Sequence, residues 1–517
     1  MGERVDRTAQ RESDAGASTA TIENGPGGAA PPEPAFGPRF TSPMLLGAAL
    51  NPLNSSVIAT ALVSIAAAMH VPVGRTAILI SCLYLTSAIA QPAAGRLAEE
   101  FGPRRVFLVG IVIVLAGGIL GGIARDMTML VESRVLIGLG TSAGYPSAML
   151  LIRRRATAAG LQSPPGNVLG SLAIAAAVTI TIGPTIGGLL VGWFNWRAAF
   201  LINVPMTVAT LAMALAWIPP DPGRLRGRSA REVARRVDPL GLIGFGAAMT
   251  ALLVFLLSLP SPDWIALAVS AVVAVALVAW ELRAVNPFLD VRLLASNGVL
   301  TRTYLRYGLT LLGVYVILYG LTQWIEVARG LSAYEAGLVL IPMGACTVIS
   351  ARVVSHHLRL RLSLTASALL LVLGAVGTLF LTSHSPLVAI IVVTGLFGLA
   401  SGSSTVTNQT ALYRAAPPQA VGTASRLLRT FGYVGSIASA TITGLVFHSH
   451  VDDAGLHKTS LILIGTGIVV LLLTALDRGL GRPPGPASPP AAAAPSAVVR
   501  PPAGNSPAGN STQGEIA

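Results

Sequence analysis

The chain has 517 residues, of which 53% are hydrophobic and only 11% charged, with a mean hydropathy of +0.69. A soluble globular protein carries roughly 25% charged residues, so this composition excludes a water-dissolved domain and puts most of the surface in lipid. The net charge of +13 does not point to nucleic acid, because the arginines fall in short loops between apolar runs and Lys458 is the only lysine.

Residues 1–40 are charged and Gly/Ser/Pro-rich, without the apolar core of a signal peptide, and read as a disordered tail. Apolar runs follow near 42–69, 77–98, 105–124, 127–152, 165–193, 196–219, 238–259, 263–282, 303–326, 335–355, 364–382, 386–412, 422–447 and 459–477. Each approaches or exceeds the roughly 20 residues that cross a hydrocarbon layer, and helices are the expected form because they satisfy their own backbone hydrogen bonds. The expected fold is an all-α integral membrane protein of about fourteen spans, two six-helix bundles with two extra central spans. Its expected parts are a bundle at 41–219, a basic linker at 220–237, two additional spans at 238–282, a connector at 283–302 and a second bundle at 303–478. A Pro/Ala-rich tail, 479–517, reads as disordered. Arginines gather in alternate loops, including Arg104, Arg105, Arg153 to Arg155, Arg224 to Arg236, Arg302, Arg306 and Arg426. The positive-inside rule then puts both termini in the cytoplasm, as an even number of spans requires.

The first run contains "NPLNSSVIAT", where Asn51, Asn54 and Ser55 surround Pro52 and no side chain titrates. Polar groups inside a span are expected to face a cavity rather than lipid. The loop after the second span, "GRLAEEFGPRR", holds Gly95, Glu99, Gly102, Arg104 and Arg105, a pattern of acids and bases that can hold helices in one conformational state. The fourth span carries Glu132 and Arg134, then Gly138, Gly140, Gly144 and Tyr145. A buried arginine costs about 2.5–3.5 kcal/mol on insertion scales, so Arg134 is expected to face the bundle interior. The fifth span, "GSLAIAAAVTITIGPTIGG", has Gly170, Gly183, Pro184, Gly187 and Gly188, residues that allow close backbone approach and a kink. In the ninth span Tyr315, Tyr319, Gln323 and Trp324, and in the twelfth Asn408 and Gln409, are further candidates for lining a cavity. Tyr319 and Trp324 also suit an interface anchor. Glu326 lies near the end of the ninth span.

These motifs together resemble the major facilitator superfamily, over residues 40–477. The 95–105 loop resembles its Gly-x-x-x-Asp-Arg-x-Gly-Arg-Arg pattern, and Arg134 with Gly138 and Gly140 resembles its Arg-x-x-x-Gly-x-Gly signature, which is associated with proton coupling. Gly170 and the "GPTIGG" end resemble the exporters' antiporter signature, with Thr179 where a glycine is usual. "NWRAAFLINVP" extends the likeness to the fourteen-span drug-exporter (DHA2-like) branch. The resemblance implies two bundles rocking about a central site. The branch usually reads Leu-Asp-x-Thr where this chain reads Leu53-Asn54-Ser55-Ser56, so the usual titrating group is missing there.

Three readings follow. The first is a proton-linked exporter of small amphipathic compounds, drug or metabolite, coupled through Arg134 with Glu132 or Glu326, or through protons carried by the substrate. The second, which Asn54 supports, is a uniporter or substrate-specific permease without antiport. The third is a non-transporting membrane sensor. No phosphate loop, metal-spaced Cys/His cluster or nucleophile elbow occurs in the sequence, so no enzyme, cofactor or metal site is expected. The expected partners are a small-molecule substrate, membrane lipid and protons, for a monomer in a plasma membrane. A cavity of aromatics and amides suits neutral or weakly polar compounds. Arginine in place of lysine, with high Ala and Gly, suggests a GC-rich bacterial source.

Overall fold

A computed structural model describes residues 36–161, 164–221, 238–284, 287–289, 291–356, 359–417, 421–477 and 480. Both tails outside this range, and the basic segment 222–237, lie outside the described residues. Those described form helices and connections, with no strand among them. In chain order the long helices are α1 (Pro38–Thr60), α2 (Val73–Phe101), α3 (Pro103–Gly122), α4 (Met127–Ala158), α5 (Gly166–Trp193), α6 (Ala198–Trp217), α7 (Pro239–Leu257) and α8 (Trp264–Glu281). They continue with α9 (Gly298–Val327), α10 (Ala333–His356), α11 (Leu360–Leu379), α12 (Leu387–Ala415), α13 (Val421–Val446) and α14 (Asp453–Ala475).

Twelve of these are long and apolar enough to cross a membrane, and α1 with its continuation Leu62–Ala68 makes a thirteenth, bent by 61°. The remaining helix, α13, has 26 residues but is more polar because Arg426 and Arg429 lie within it. Helix α1 runs through Pro52, is buried from Leu53 to Thr60, and bends only after a 3₁₀ turn at Ile58–Thr60.

Helices α1 to α6 pack among themselves, and α9 to α14 do the same. The pair α7–α8 leans on α2 and α13 through Ile89, Phe245, Met249 and Tyr433. Its other face carries Ile265, Val272 and Val275, each more than two-thirds exposed, as a lipid-facing surface requires. One residue ties this pair to the chain that follows. Asp238 caps α7 at Gly241 N and also accepts from Trp280 Nε1 and from Phe288 N, each at 3.0–3.1 Å.

The two halves meet along α2–α13 and along α5–α10. Within the second half lies a cluster that the arginine pattern misread. Arg306, grouped above with loop arginines, is a fully buried member of α9. Its Nη1 donates to Asp477 Oδ2 at 2.7 Å, its Nη2 to Thr303 Oγ1 at 3.0 Å, and Arg302 Nη2 reaches Asp477 Oδ1 at 3.1 Å.

Candidate substrate and gating site between the halves

At the end of α5 and the start of α10, the halves are closed through backbone contact. Gly183 and Gly187 in α5 press on α1. A Cβ on Gly183 would lie 1.8 Å from Ser56 Oγ, and one on Gly187 would lie 2.3 Å from Val57 O. Gly188 faces the other half, where a Cβ would lie 2.4 Å from Ala333 O of α10. Thr185 Oγ1 donates across the same seam to Gly337 O at 3.0 Å. Pro184 sits between these contacts with its carbonyl against Gly337. This packing stops partway down the helix. Thr181 touches Gly344, but nothing lies within 4 Å of a Cβ on Gly170 or Gly166. The packed part of the motif is therefore its GPTIGG end.

Replacing Gly188 by valine is expected to prop this contact open while leaving the α5–α1 packing intact. Transport should fall at least about tenfold, equivalent to roughly 1.4 kcal/mol. Flux through a correctly inserted variant, compared with wild type, checks this.

Below the closed contact lies the core of the seam. Arg134 is buried, and its Nε donates to Leu79 O at 3.0 Å and its Nη2 to Asn54 O at 3.1 Å. Neither partner is a carboxylate. Glu132 is exposed on α4, and Glu326 stands about two turns of α9, roughly 10 Å, beyond Tyr319. One oxygen of Glu326 is buried without a hydrogen-bond partner.

Asn54 is not free to meet a ligand. Its Nδ2 donates to Asn203 Oδ1 at 2.7 Å and to Leu50 O at 2.9 Å, while its Oδ1 accepts from Asn203 Nδ2 at 2.9 Å. Asn203 Nδ2 also donates to Phe200 O, so each amide's orientation is set by a backbone carbonyl. This reciprocal clasp joins α1 to α6. Exchange of either partner for aspartate replaces a donor by an acceptor facing an acceptor. We expect Asn54→Asp and Asn203→Asp each to cost about 1–3 kcal/mol, read as a lower unfolding midpoint in detergent at neutral pH.

Asn51 Nδ2 donates to Ser87 Oγ and Thr141 Oγ1, fastening α1 to α2 and α4. The Ser55 hydroxyl turns back to Pro52 O, and its backbone carbonyl accepts from Tyr319 OH at 3.0 Å. Tyr319 OH also lies 3.1 Å from Tyr84 OH, across the two halves. A π-helical turn at Ile317–Leu321 sets Tyr319 in this position, an irregularity often found at functional sites. Tyr315 stacks on Tyr319, and its ring meets Tyr84 edge-on at 5.5 Å. Tyr145 lies under the guanidinium of Arg429, 3.7 Å away. Tyr433 OH donates to Gln91 Oε1 at 3.1 Å.

Other candidates lie elsewhere. Trp324 is fully buried and donates to Asp453 Oδ1 at 2.9 Å, so it is not an interface anchor, and neither is the buried Tyr319. Gln323 is buried with its Oε1 unpartnered. Asn408 holds Ser404 and approaches Arg306 in the ion cluster. Gln409 donates to Tyr413 OH in an exposed bond.

The 95–105 loop is anchored by an acid that sequence reasoning missed. Gly102 adopts φ +100°, where only glycine is comfortable, and a Cβ there would lie 2.4 Å from the Asp221 carboxylate. Arg104 N and Arg105 N donate to Asp221 at the start of α3, and Arg154 Nη1 pairs with it at 3.2 Å. Glu99 is exposed and within electrostatic reach of Arg96 and of Arg426 in the other half. Gly95 faces Pro146 at an ordinary packing distance.

Residues 44–440 match the family model described as Major Facilitator Superfamily. The chain is 31% identical to the uncharacterized MFS-type transporter YwoD of Bacillus subtilis, over 84% of this chain and 95% of that one. It is 27% identical to the multidrug resistance protein Stp of Mycobacterium tuberculosis, over 71% of this chain and 68% of that one. The fold superposes on the nucleoside transporter NupG with a TM-score of 0.58 at 12% identity, covering 86% of this chain and all of that one.

Proposed function

The chain belongs to the major facilitator superfamily, and from that premise we propose that it exports small organic compounds by alternating access, driven by proton influx. The observation that carries the transport cycle is the seam itself. The halves touch through Gly188 and Gly337 at one end of α5, while nothing lies within 4 Å of a Cβ on Gly166 or Gly170 at its other end. Between them lie aromatic and amide side chains from both halves. With the termini in the cytoplasm, as the arginine distribution argues, the face closed at Gly188 is the outer one, and in this reading the substrate is loaded from the cytoplasm. Likeness to a multidrug resistance protein supports export of drug-like or metabolite compounds.

Arg134 is the residue assigned to coupling. It donates to carbonyls of α1 and α2 and sits beside the Tyr84–Tyr319 contact between halves. Loss or gain of charge nearby would therefore bear on both helices at once. Glu326, with a buried unpartnered oxygen, is the acid assigned to carry the proton.

The Asn54–Asn203 clasp favours a second reading, uniport without antiport, because it puts a neutral amide pair where the branch usually has an acid. Proteoliposomes loaded with a candidate compound separate the two. Under the first reading an imposed pH gradient, with the acidic side opposite the loaded side, raises both the rate and the final ratio of efflux. Identical rates and ratios with and without the gradient would establish the second.

A further inference from the structure

Arg429 lies in α13 and faces the seam. Its guanidinium stands over the Tyr145 ring, and its other close polar neighbours are Tyr307 and Tyr433. Among the described residues no carboxylate pairs with it. The Tyr145 and Tyr433 hydroxyls take up part of the guanidinium's five N–H donors, but neither they nor the aromatic faces neutralise its charge. A cation so placed has spare capacity for an anion.

The surroundings specify more than charge. Gln91, Tyr145, Tyr307, Tyr315, Arg429 and Tyr433 are all half-buried, as residues facing an open space are, whereas Tyr84 and Tyr319 beyond them are fully buried. The rings of Tyr315 and Tyr433 lie 5.5 and 5.8 Å from that of Tyr84. These edge-on and tilted contacts are ordinary aromatic packing, which is tolerant of ring identity. Both halves contribute, so an occupant would touch both.

We propose that Arg429 and this tyrosine cluster form a subsite for an anionic aromatic compound, its ring among the tyrosines and its carboxylate or phenolate on the guanidinium. The assignment rests on reading the chain as a transporter and replaces the expectation of neutral substrates with a charge class.

The test is calorimetric titration of the purified full-length protein with three matched probes: 3-hydroxy-2-naphthoate, its methyl ester and 2-naphthyl-trimethylammonium. The acid is expected to bind at least about tenfold more tightly than the ester, as a charge-assisted hydrogen bond supplies, and the cation more weakly than both. Arg429→Gln should remove the preference for the acid, and Arg429→Lys should keep part of it. Wild-type protein that binds the ester or the cation as tightly as the acid, or binds none of the three, overturns the proposal without any variant. So does an Arg429→Gln protein that weakens all three equally, because Arg429 would then only clamp the halves through Tyr145. Failure of the transporter reading would appear elsewhere, as absence of flux in proteoliposomes, and leaves the binding result interpretable.

Discussion

Arg134→Ala is expected to abolish gradient-driven accumulation in proteoliposomes while the protein still inserts and purifies. The side chain is buried, makes two charged hydrogen bonds to backbone carbonyls and has no acidic partner among the described residues. Hydrogen bonds to a charged group contribute about 1.5–3 kcal/mol each. Removing both leaves the carbonyls of Leu79 and Asn54 without their partner and opens a cavity between α1, α2 and α4. A fall of two orders of magnitude in coupled flux is the expected scale. Arg134→Lys separates charge from geometry, since an ammonium keeps the charge and loses the planar fork that reaches two helices. It should retain the fold and lose most of the coupling. Wild-type accumulation by a correctly inserted Arg134→Ala protein would remove this residue from the mechanism.

Asp477→Ala should be the most destabilising single change in the second half. It strips the carboxylate from Arg306, whose side chain is fully buried, and from Arg302, about a third exposed. Breaking a buried pair by removing one partner costs about 3–5 kcal/mol, because the other charge stays buried and uncompensated. The expected readouts are a lower unfolding midpoint in detergent and reduced yield. The double replacement Arg306→Met with Asp477→Leu removes both charges from the pair, and it should recover much of the lost stability. An unchanged midpoint for Asp477→Ala would show that the pair contributes nothing.

The spans themselves were legible because hydrophobic length alone marks a membrane helix, and all fourteen apolar runs coincide with helices of the structure. The motif glycines were legible for a related reason. Gly183, Gly187 and Gly188 are needed where backbones touch, and a glycine run beside a proline announces such contact. Partner choice was not legible. Nothing in the run holding Asn203 says that its amide meets Asn54, 149 positions away. Asp221 follows a span like an ordinary loop acid, yet it anchors the loop between α2 and α3. Arg306 was hidden by the rule that reads arginines as loop markers, since a buried arginine and a loop arginine look alike in one dimension. The tyrosines of α2 and α13 were missed because a lone aromatic in a span is ordinary packing until a second one faces it across a seam.

Alternating access makes one direct claim about this molecule: the contact between α5 and α10 opens and closes during transport. Spin labels at Trp193 and Leu338, both exposed on these helices, report it directly once Cys82 and Cys346 are replaced. Pulsed dipolar spectroscopy in lipid nanodiscs should then show two distance populations whose ratio shifts with pH or with added transported compound. A single distance, unchanged under every condition in a protein that still transports, would contradict the claim.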